Sequence, residues 1–293
     1  MKNIVCFGEV LWDVFPTHKK IGGAPLNVAL RLQSLNNNVS IISSIGNDKK
    51  GKKIEAYIED HGVNIDNLQV DEKFKTGKVK VMLNQKGSAS YDIKFPRAWD
   101  NIQINENTKK ATNQADAFIY GSLVARDDTS RDTLYELLKL AKYKIFDVNL
   151  REPYYTIDVL NHLMNEANFI KFNDDEIFEI GGMVNSKTHS LEQNMKFIAE
   201  QTKTETICVT KGRHGAILLY NDTYYYNSGY QIEVVDTVGA GDSFLATLIS
   251  KLINGDDPQE AINFACAIGA LVAGSEGANP EIKTEDINNF IFP

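Results

Sequence analysis

The chain has 293 residues, 43% of them hydrophobic and 24% charged, the balance of a folded globular protein rather than a disordered or fibrous one. That length suits one large domain with a small appendage, since single cores stop growing near ~250–300 residues. A formal net charge of −8 runs against the excess of Lys and Arg by which proteins grip a nucleic-acid backbone, so no nucleic-acid partner is expected.

The first ten residues, MKNIVCFGEV, hold one short apolar run, far below the ~18 residues of a membrane span and too short for a signal-peptide core. Neither export nor a membrane partner is expected. Cys6, Cys208 and Cys266 each sit in an apolar run without CxxC spacing, which fits a reducing, cytoplasmic setting and neither a disulfide scaffold nor a zinc site.

Strand-like runs then recur at 3–7, 39–43, 117–120, 143–147, 169–172, 206–210 and 216–220, several of them continuously apolar. Helical patterns fall between most of them, at 25–35, 49–61, 131–141 and 191–202. This alternation predicts an α/β fold with a mostly parallel sheet. Two stretches break it. Residues 11–21 are short and extended, and 75–102 contains alternating segments (KVKVML, SYDIKF) joined by a turn at 85–88. Both read as a small β lid of antiparallel strands at one edge of the main domain, with a plain edge hairpin as the alternative. The expected division is a core of 1–10, 26–74 and 103–293 and a lid of 11–25 and 75–102. The stretch 242–273 has helical period and is rich in Ala and Gly.

The segment VDTVGAGDSF at 235–244 carries the most chemistry. A strand end runs into Gly239, Ala240 and Gly241 and then into a helix, where small residues let backbone N–H groups approach an oxyanion and the helix dipole adds positive charge. Asp242 stands in the first turn. It caps the helix, or it accepts a proton from a substrate hydroxyl held beside the cradle. A GxxxxGK[ST] phosphate loop is missing from the sequence, and no GxGxxG follows the first strand, so neither a P-loop enzyme nor a dinucleotide dehydrogenase is supported.

DTVGAGDSF at 236–244 resembles the signature of the ribokinase-like (PfkB) carbohydrate kinases. Five further segments agree in order: Gly8-Glu9 with Asp13 and GGAPLNVA at 22–29, GNDKKG at 46–51, DVNLR at 147–151, NDDE at 173–176 and TKGRHGA at 210–216. The resemblance implies a three-layer α/β/α ribokinase-like fold with a β lid and an ATP- and magnesium-dependent sugar kinase. It places Asp13, Gly23 and Asn27 on the sugar, Asp242 as the base, and Gly239, Ala240 and Gly241 as the anion hole. Asn149 and Arg151 follow a strand end where open α/β sheets place ligands, so Arg151 is expected on substrate, a salt bridge with Glu152 being the alternative. Asn173 and Glu176 are assigned the nucleotide side and an indirect magnesium role, Glu176 reading equally as a helix N-terminal acid. Thr210, Lys211, Gly212, Gly241 and Cys266 are placed beside ATP, although Lys211 also reads as a solvated turn and Cys266 as helix packing. Asp236, with the turn at Gly277 and Ala278, resembles a potassium loop.

GGAPLNVA and DxNLR look more like fructokinases than ribokinases, so fructose to fructose 6-phosphate is the first expectation. Ribose, 2-keto-3-deoxygluconate or another ketose stays open, because Val148 stands where many relatives carry proline. A sugar- or nucleotide-binding regulatory protein on the same fold is the non-enzyme alternative. A homodimer through the lid is a further expectation.

Overall fold

The computed structural model describes residues 1–83 and 89–292. In chain order it runs β1 (Asn3–Phe7), β2 (Leu11–Val14), β3 (Lys19–Gly22), α1 (Ala24–Ser34), β4 (Asn38–Gly46), α2 (Lys49–Asp60) and β5 (Leu68–Asp71). Next come β6 (Gly77–Leu83), β7 (Ala89–Ile93), α3 (Glu106–Gln114), β8 (Ala117–Gly121), α4 (Asp128–Leu138), β9 (Lys144–Asp147), α5 (Ile157–Glu166) and β10 (Phe169–Asn173). The chain ends with α6 (Asp174–Met183), α7 (Leu191–Thr202), β11 (Thr206–Thr210), β12 (Ala216–Tyr220), β13 (Thr223–Asn227), α8 (Ala240–Ile253), α9 (Pro258–Ala273) and α10 (Thr284–Ile291).

Nine strands form one sheet in the order β13-β12-β11-β10-β9-β8-β1-β4-β5. From β5 to β11 neighbouring strands are parallel, and only β12 and β13 run antiparallel. Side-chain alternation splits the apolar residues of each strand between two cores. Phe7, Phe118, Phe146 and Phe172 face α4, α5, α6 and α7, whereas Cys6, Ile119, Ile145 and Cys208 face α1, α2, α8 and α9. This is the expected three-layer α/β/α arrangement. Each fully buried Leu, Ile or Phe contributes roughly 1.5–3 kcal/mol, so burial on both faces holds the sheet between its helix layers.

The helical stretch after Asp242 is two helices. Gly255, with φ 86°, ends the first turn-off, and the Asp257 carboxylate accepts N–H bonds from Gln259 and Glu260 to start α9.

A second sheet has the order β3-β2-β6-β7. It is mixed rather than wholly antiparallel: β2 pairs antiparallel with β3, and β6 with β7, but β2 and β6 are parallel because they come from separate excursions of the chain. The turn expected at 85–88 lies outside the described residues. GNDKKG at 46–51 anchors this sheet. Asp48 caps α2 through the N–H groups of Lys50 (2.8 Å) and Gly51 (2.9 Å) and also accepts the Thr76 N–H (3.0 Å) beside the first residue of β6. At the other end of the excursion, Arg126 forms a buried two-point ion pair with Asp100 (2.7 and 2.8 Å) and lies 3.9 Å from the centre of the Trp99 ring.

Candidate active site

The carboxyl ends of β1, β9, β10 and β11 meet at one edge of the sheet, where Glu9, Asp147, Asn173 and Thr210 stand. Helix α8 begins there. Its N-cap is Gly239 at φ 78°, a conformation that suits glycine, and a Cβ would lie 2.5 Å from that of Ala278. Whereas α2, α5, α6 and α9 have their first N–H groups capped by side chains, α8 has no side-chain cap. Ala240 N–H makes a long bond to Thr237 O (3.3 Å). Helices α1, α4 and α7 also lack a side-chain cap, but only α8 starts at the segment Gly239 to Asp242.

Asp242 does not act as the helix cap that a capping box would require. Its Oδ2 accepts 2.8 Å from Nδ2 of Asn27, in the first turns of α1, while Oδ1 of Asn27 accepts from Asn279 (3.0 Å). The Asn279 bond orients the Asn27 amide so that its N–H₂ points at Asp242. Burial, reinforced by the negative charge of Asp147, raises Asp242 to about 6 against the opposing pull of Asn27, Lys171 and Arg151. A carboxylate poised near 6 is charged at neutral pH yet basic enough to take a proton.

Lys171 is a functional candidate that the motifs passed over. It lies inside the apolar strand FIKFN, and its ammonium reaches Asp147 Oδ1 at 2.9 Å with both side chains buried. A Cβ at Gly241 would sit 3.5 Å from Lys171 Nζ, so this ammonium borders the start of α8. Burial disfavours the charge, but Asp147, Glu176 and Asp242 outweigh it and hold the lysine protonated. A lone charged residue in a buried strand was the available signal.

Glu176 has both oxygens engaged by backbone. Oε2 accepts from Asn173 N–H (2.8 Å) and Oε1 from Leu150 N–H (2.9 Å), while Asn173 Oδ1 accepts from Glu176 N–H (2.8 Å). This reciprocal capping box fastens the DVNLR loop to α6. In that loop Asn149 has φ 40°, an uncommon conformation for a residue with a side chain.

Two further carboxylates feel the charge of Asp242. Glu9 is raised to about 7 and Asp13 to about 6, both chiefly by burial, with Asp242 adding to each and Arg151 opposing each. Arg151 is thus the shared counter-charge of Glu9, Asp13 and Asp242; it also donates to Leu150 O (2.7 Å). Gly23, at φ 116°, lets the turn into α1 lie on the chain at Glu9, since a Cβ there would meet Glu9 O at 2.3 Å. A cleft of ≈ 420 Å³ opens here, lined among others by Asp13, Gly22, Asn27, Val238 and Asn279, a size suited to a small ligand.

The residues expected beside ATP lie further along the same edge. Thr210 ends β11 with its hydroxyl on Phe172 O (3.3 Å); Lys211 follows, and Gly212, at φ 53°, opens on free space. Cys266 on α9 is close enough for Lys211 to influence its thiol, which burial pushes up to about 12. It is a small neutral wall, compatible with both of its sequence readings.

Asp236 accepts from Val238 N–H (3.0 Å) on Oδ1 and from Lys20 Nζ (3.1 Å) and Gly277 N–H (3.3 Å) on Oδ2. The Gly277 turn is where the potassium reading needs it, but a lysine of the smaller sheet already supplies the positive charge, so this carboxylate fits potassium only with Lys20 displaced. Burial works against its ionisation, yet Val238, Lys20 and Gly277 keep Asp236 below the usual carboxylate range. For magnesium, no cluster of three or more His, Cys, Asp or Glu residues occurs among the described residues. That donor set fits an ion held mainly by phosphates and water, with Asn173 and Glu176 in support.

Comparison with known proteins accords with this geometry. Residues 1–285 match the model of the pfkB family carbohydrate kinases. A probable fructokinase of Arabidopsis thaliana is 28% identical over 310 residues, covering 96% of this chain and 94% of that one. A sugar kinase of Pyrococcus horikoshii in complex with ATP superposes with a TM-score of 0.85 at 26% identity, over 98% of this chain and 97% of the other. A fructokinase of Vibrio cholerae in a fructose-, ADP- and potassium-bound form gives a TM-score of 0.86 at 23% identity, over 99% and 98% of the two chains. This chain belongs to the pfkB family of carbohydrate kinases.

Proposed function

We propose that the protein transfers the γ-phosphoryl group of ATP to the primary hydroxyl of a neutral sugar, D-fructose giving fructose 6-phosphate. One observation carries the reading. The Asp242 carboxylate stands in the first turn of the uncapped α8, whose start the Lys171 ammonium borders, and is bonded by Asn27, which lines the cleft. A hydroxyl in that cleft gives its proton to Asp242 as its oxygen attacks the γ-phosphorus and the bond to the β,γ-bridging oxygen breaks to release ADP, while the α8 N–H groups and Lys171 receive the charge spread over the transferring group. Thr210, Lys211, Gly212 and Cys266 are the nucleotide-side residues. Magnesium bound to the phosphates supplies charge neutralisation, with Asn173 and Glu176 as its supports. The smaller sheet serves as the lid that excludes water.

Charge separates the candidate sugars. Of the cations near the cleft, Arg126 is matched by Asp100 and Lys20 by Asp236, which leaves Glu9, Asp13 and Asp242 against Arg151 and the cleft-lining Lys19. A sugar acid such as 2-keto-3-deoxygluconate brings a further carboxylate into this field and is disfavoured. Fructose is preferred over ribose on the names of the relatives. A coupled assay with ATP and magnesium on D-fructose, D-ribose, 2-keto-3-deoxygluconate, D-glucose and adenosine tests this. The highest kcat/KM is expected on D-fructose; a higher value on the sugar acid would overturn the charge argument, and on ribose the fructose assignment.

A further inference from the structure

Glu9 plays no part in the reaction as drawn above, yet its surroundings are unusual for a buried acid. It is 4% exposed, and its Oε2 has no hydrogen-bond partner among the described residues. Its own backbone N–H is the one hydrogen bond that favours its charge. Buried carboxylates in folded proteins are normally paired or fully hydrogen-bonded, because an oxygen stripped of water and given nothing in return is costly.

The position of this acid is informative. It lies two residues past the end of β1, an interior strand between β8 and β4, at the carboxyl edge where the site lies. The groups whose charges act on it are Arg151, Asp242 and Arg126. Arg126 is the second irregularity: its Nε and one terminal nitrogen are spent on Asp100 and Lys94 O, but the other, Nη1, is buried and also unpartnered among the described residues. An empty acceptor and an empty donor thus lie in one electrostatic neighbourhood without bonding each other. A sugar hydroxyl, which donates one hydrogen bond and accepts others, is complementary to that pair.

We propose that Glu9 is a further sugar-binding residue, its free Oε2 accepting a hydroxyl of the substrate remote from the one phosphorylated, with Arg126 Nη1 donating to the same end of the sugar. This rests on the sugar-kinase reading and extends it to the far end of the substrate. Because the Arg126 charge is matched by Asp100, the subsite recognises a neutral hydroxyl and not an anion. The cost of an unsatisfied acid in the empty site is offset only when the sugar is bound, so Glu9 discriminates against water and against deoxy analogues that leave it unsatisfied.

Steady-state kinetics of Glu9→Gln and Glu9→Ala, with melting temperatures of the unliganded proteins, test the proposal on D-fructose. Loss of a hydrogen bond to a charged group predicts that Glu9→Ala raises the sugar KM roughly tenfold to hundredfold. The KM for ATP should stay within about twofold, as expected for a contact made to the sugar alone. Glu9→Gln should not melt below wild type, since it keeps the shape and removes a carboxylate that burial holds above its usual range. Glu9→Gln, which keeps the shape and one acceptor, should recover part of the loss. An unchanged sugar KM in both variants, or a lower melting temperature with both KM values raised together, would overturn the assignment. If the sugar panel shows ribose to be the better substrate, the fructose reading fails while the Glu9 test is run unchanged on D-ribose. If only the sugar acid is turned over, both fail.

Discussion

The two ends of the site are built on opposite principles. At the end assigned to the phosphates, positive character comes from a helix start without a side-chain cap and from Lys171, paired with Asp147 Oδ1, while Asp147 Oδ2 is buried without a partner among the described residues. At the end assigned to the sugar, Glu9, Asp13 and Asp242 are raised by burial and by one another, and Glu9 Oε2 and Asn279 Oδ1 are buried without partners among the described residues. On the proposed reading, the contrast teaches how one cleft would handle a polyanion and a neutral polyol together. Fixed dipoles suit a charge that is always present, while unsatisfied acceptors suit hydroxyls that replace water one for one.

The strongest way to break this contrast is at its meeting point. Asp242→Asn keeps the Asn27 contact geometry but removes the base, and should lower kcat by roughly 10²–10⁴ with both KM values changed little. In the wild type the same group predicts that kcat/KM falls as pH drops through about 6, where Asp242 takes up a proton. Near-normal turnover by the variant would remove Asp242 from the chemistry.

Lys171→Met tests the end assigned to the phosphates. It leaves Asp147 buried without its counter-ion, since both side chains are under a tenth exposed. Urea denaturation should show a loss of about 3–5 kcal/mol, with kcat reduced as well because the ammonium bordering Gly241 is gone. A variant as stable as wild type would show that the pair is not what holds β9 to β10 at the site.

The smallest effect concerns the acid cluster as a whole. Folded and unliganded, Glu9, Asp13 and Asp242 keep their protons to about 7, 6 and 6, whereas unfolded carboxylates lose them near 4. Between those values the native state binds more protons than the unfolded one, so stability falls as pH rises from about 4 to about 7. Asp48, Asp71 and Asp236 are shifted the other way and act at lower pH. Calorimetry without ligand should give a higher melting temperature at pH 5 than at pH 7.5, and a saturating neutral sugar should reduce the difference. A melting temperature rising across that window would contradict the burial of these acids.

Much of this was legible in advance for a definite reason. Continuous apolar runs such as NIVCF and TICVT can only be strands covered on both faces, and helix 191–202 carries its own period, so the parallel layers followed from local pattern. The short strands β5 and β13 went unread: LQVD is too brief to show a period, and TYYYN is a strand because it pairs with β12. The lid strands were read as antiparallel, and the parallel β2–β6 pairing arises from contacts between residues more than sixty positions apart.

The site divides in the same way. Gly239 through Asp242 announce an anion cradle within one short segment, because helix geometry and small side chains are local properties. The order of residues along the chain determined the family and the kind of chemistry. What only the tertiary structure decided is which groups share a neighbourhood: that Asn27 bonds Asp242, that Lys171 borders Gly241, that Lys20 bonds Asp236, and that Glu9 Oε2 is buried without a partner among the described residues. Hydrogen bonds and burial depend on distances between elements that the sequence keeps far apart, and these interactions set the charges and proton affinities on which specificity rests.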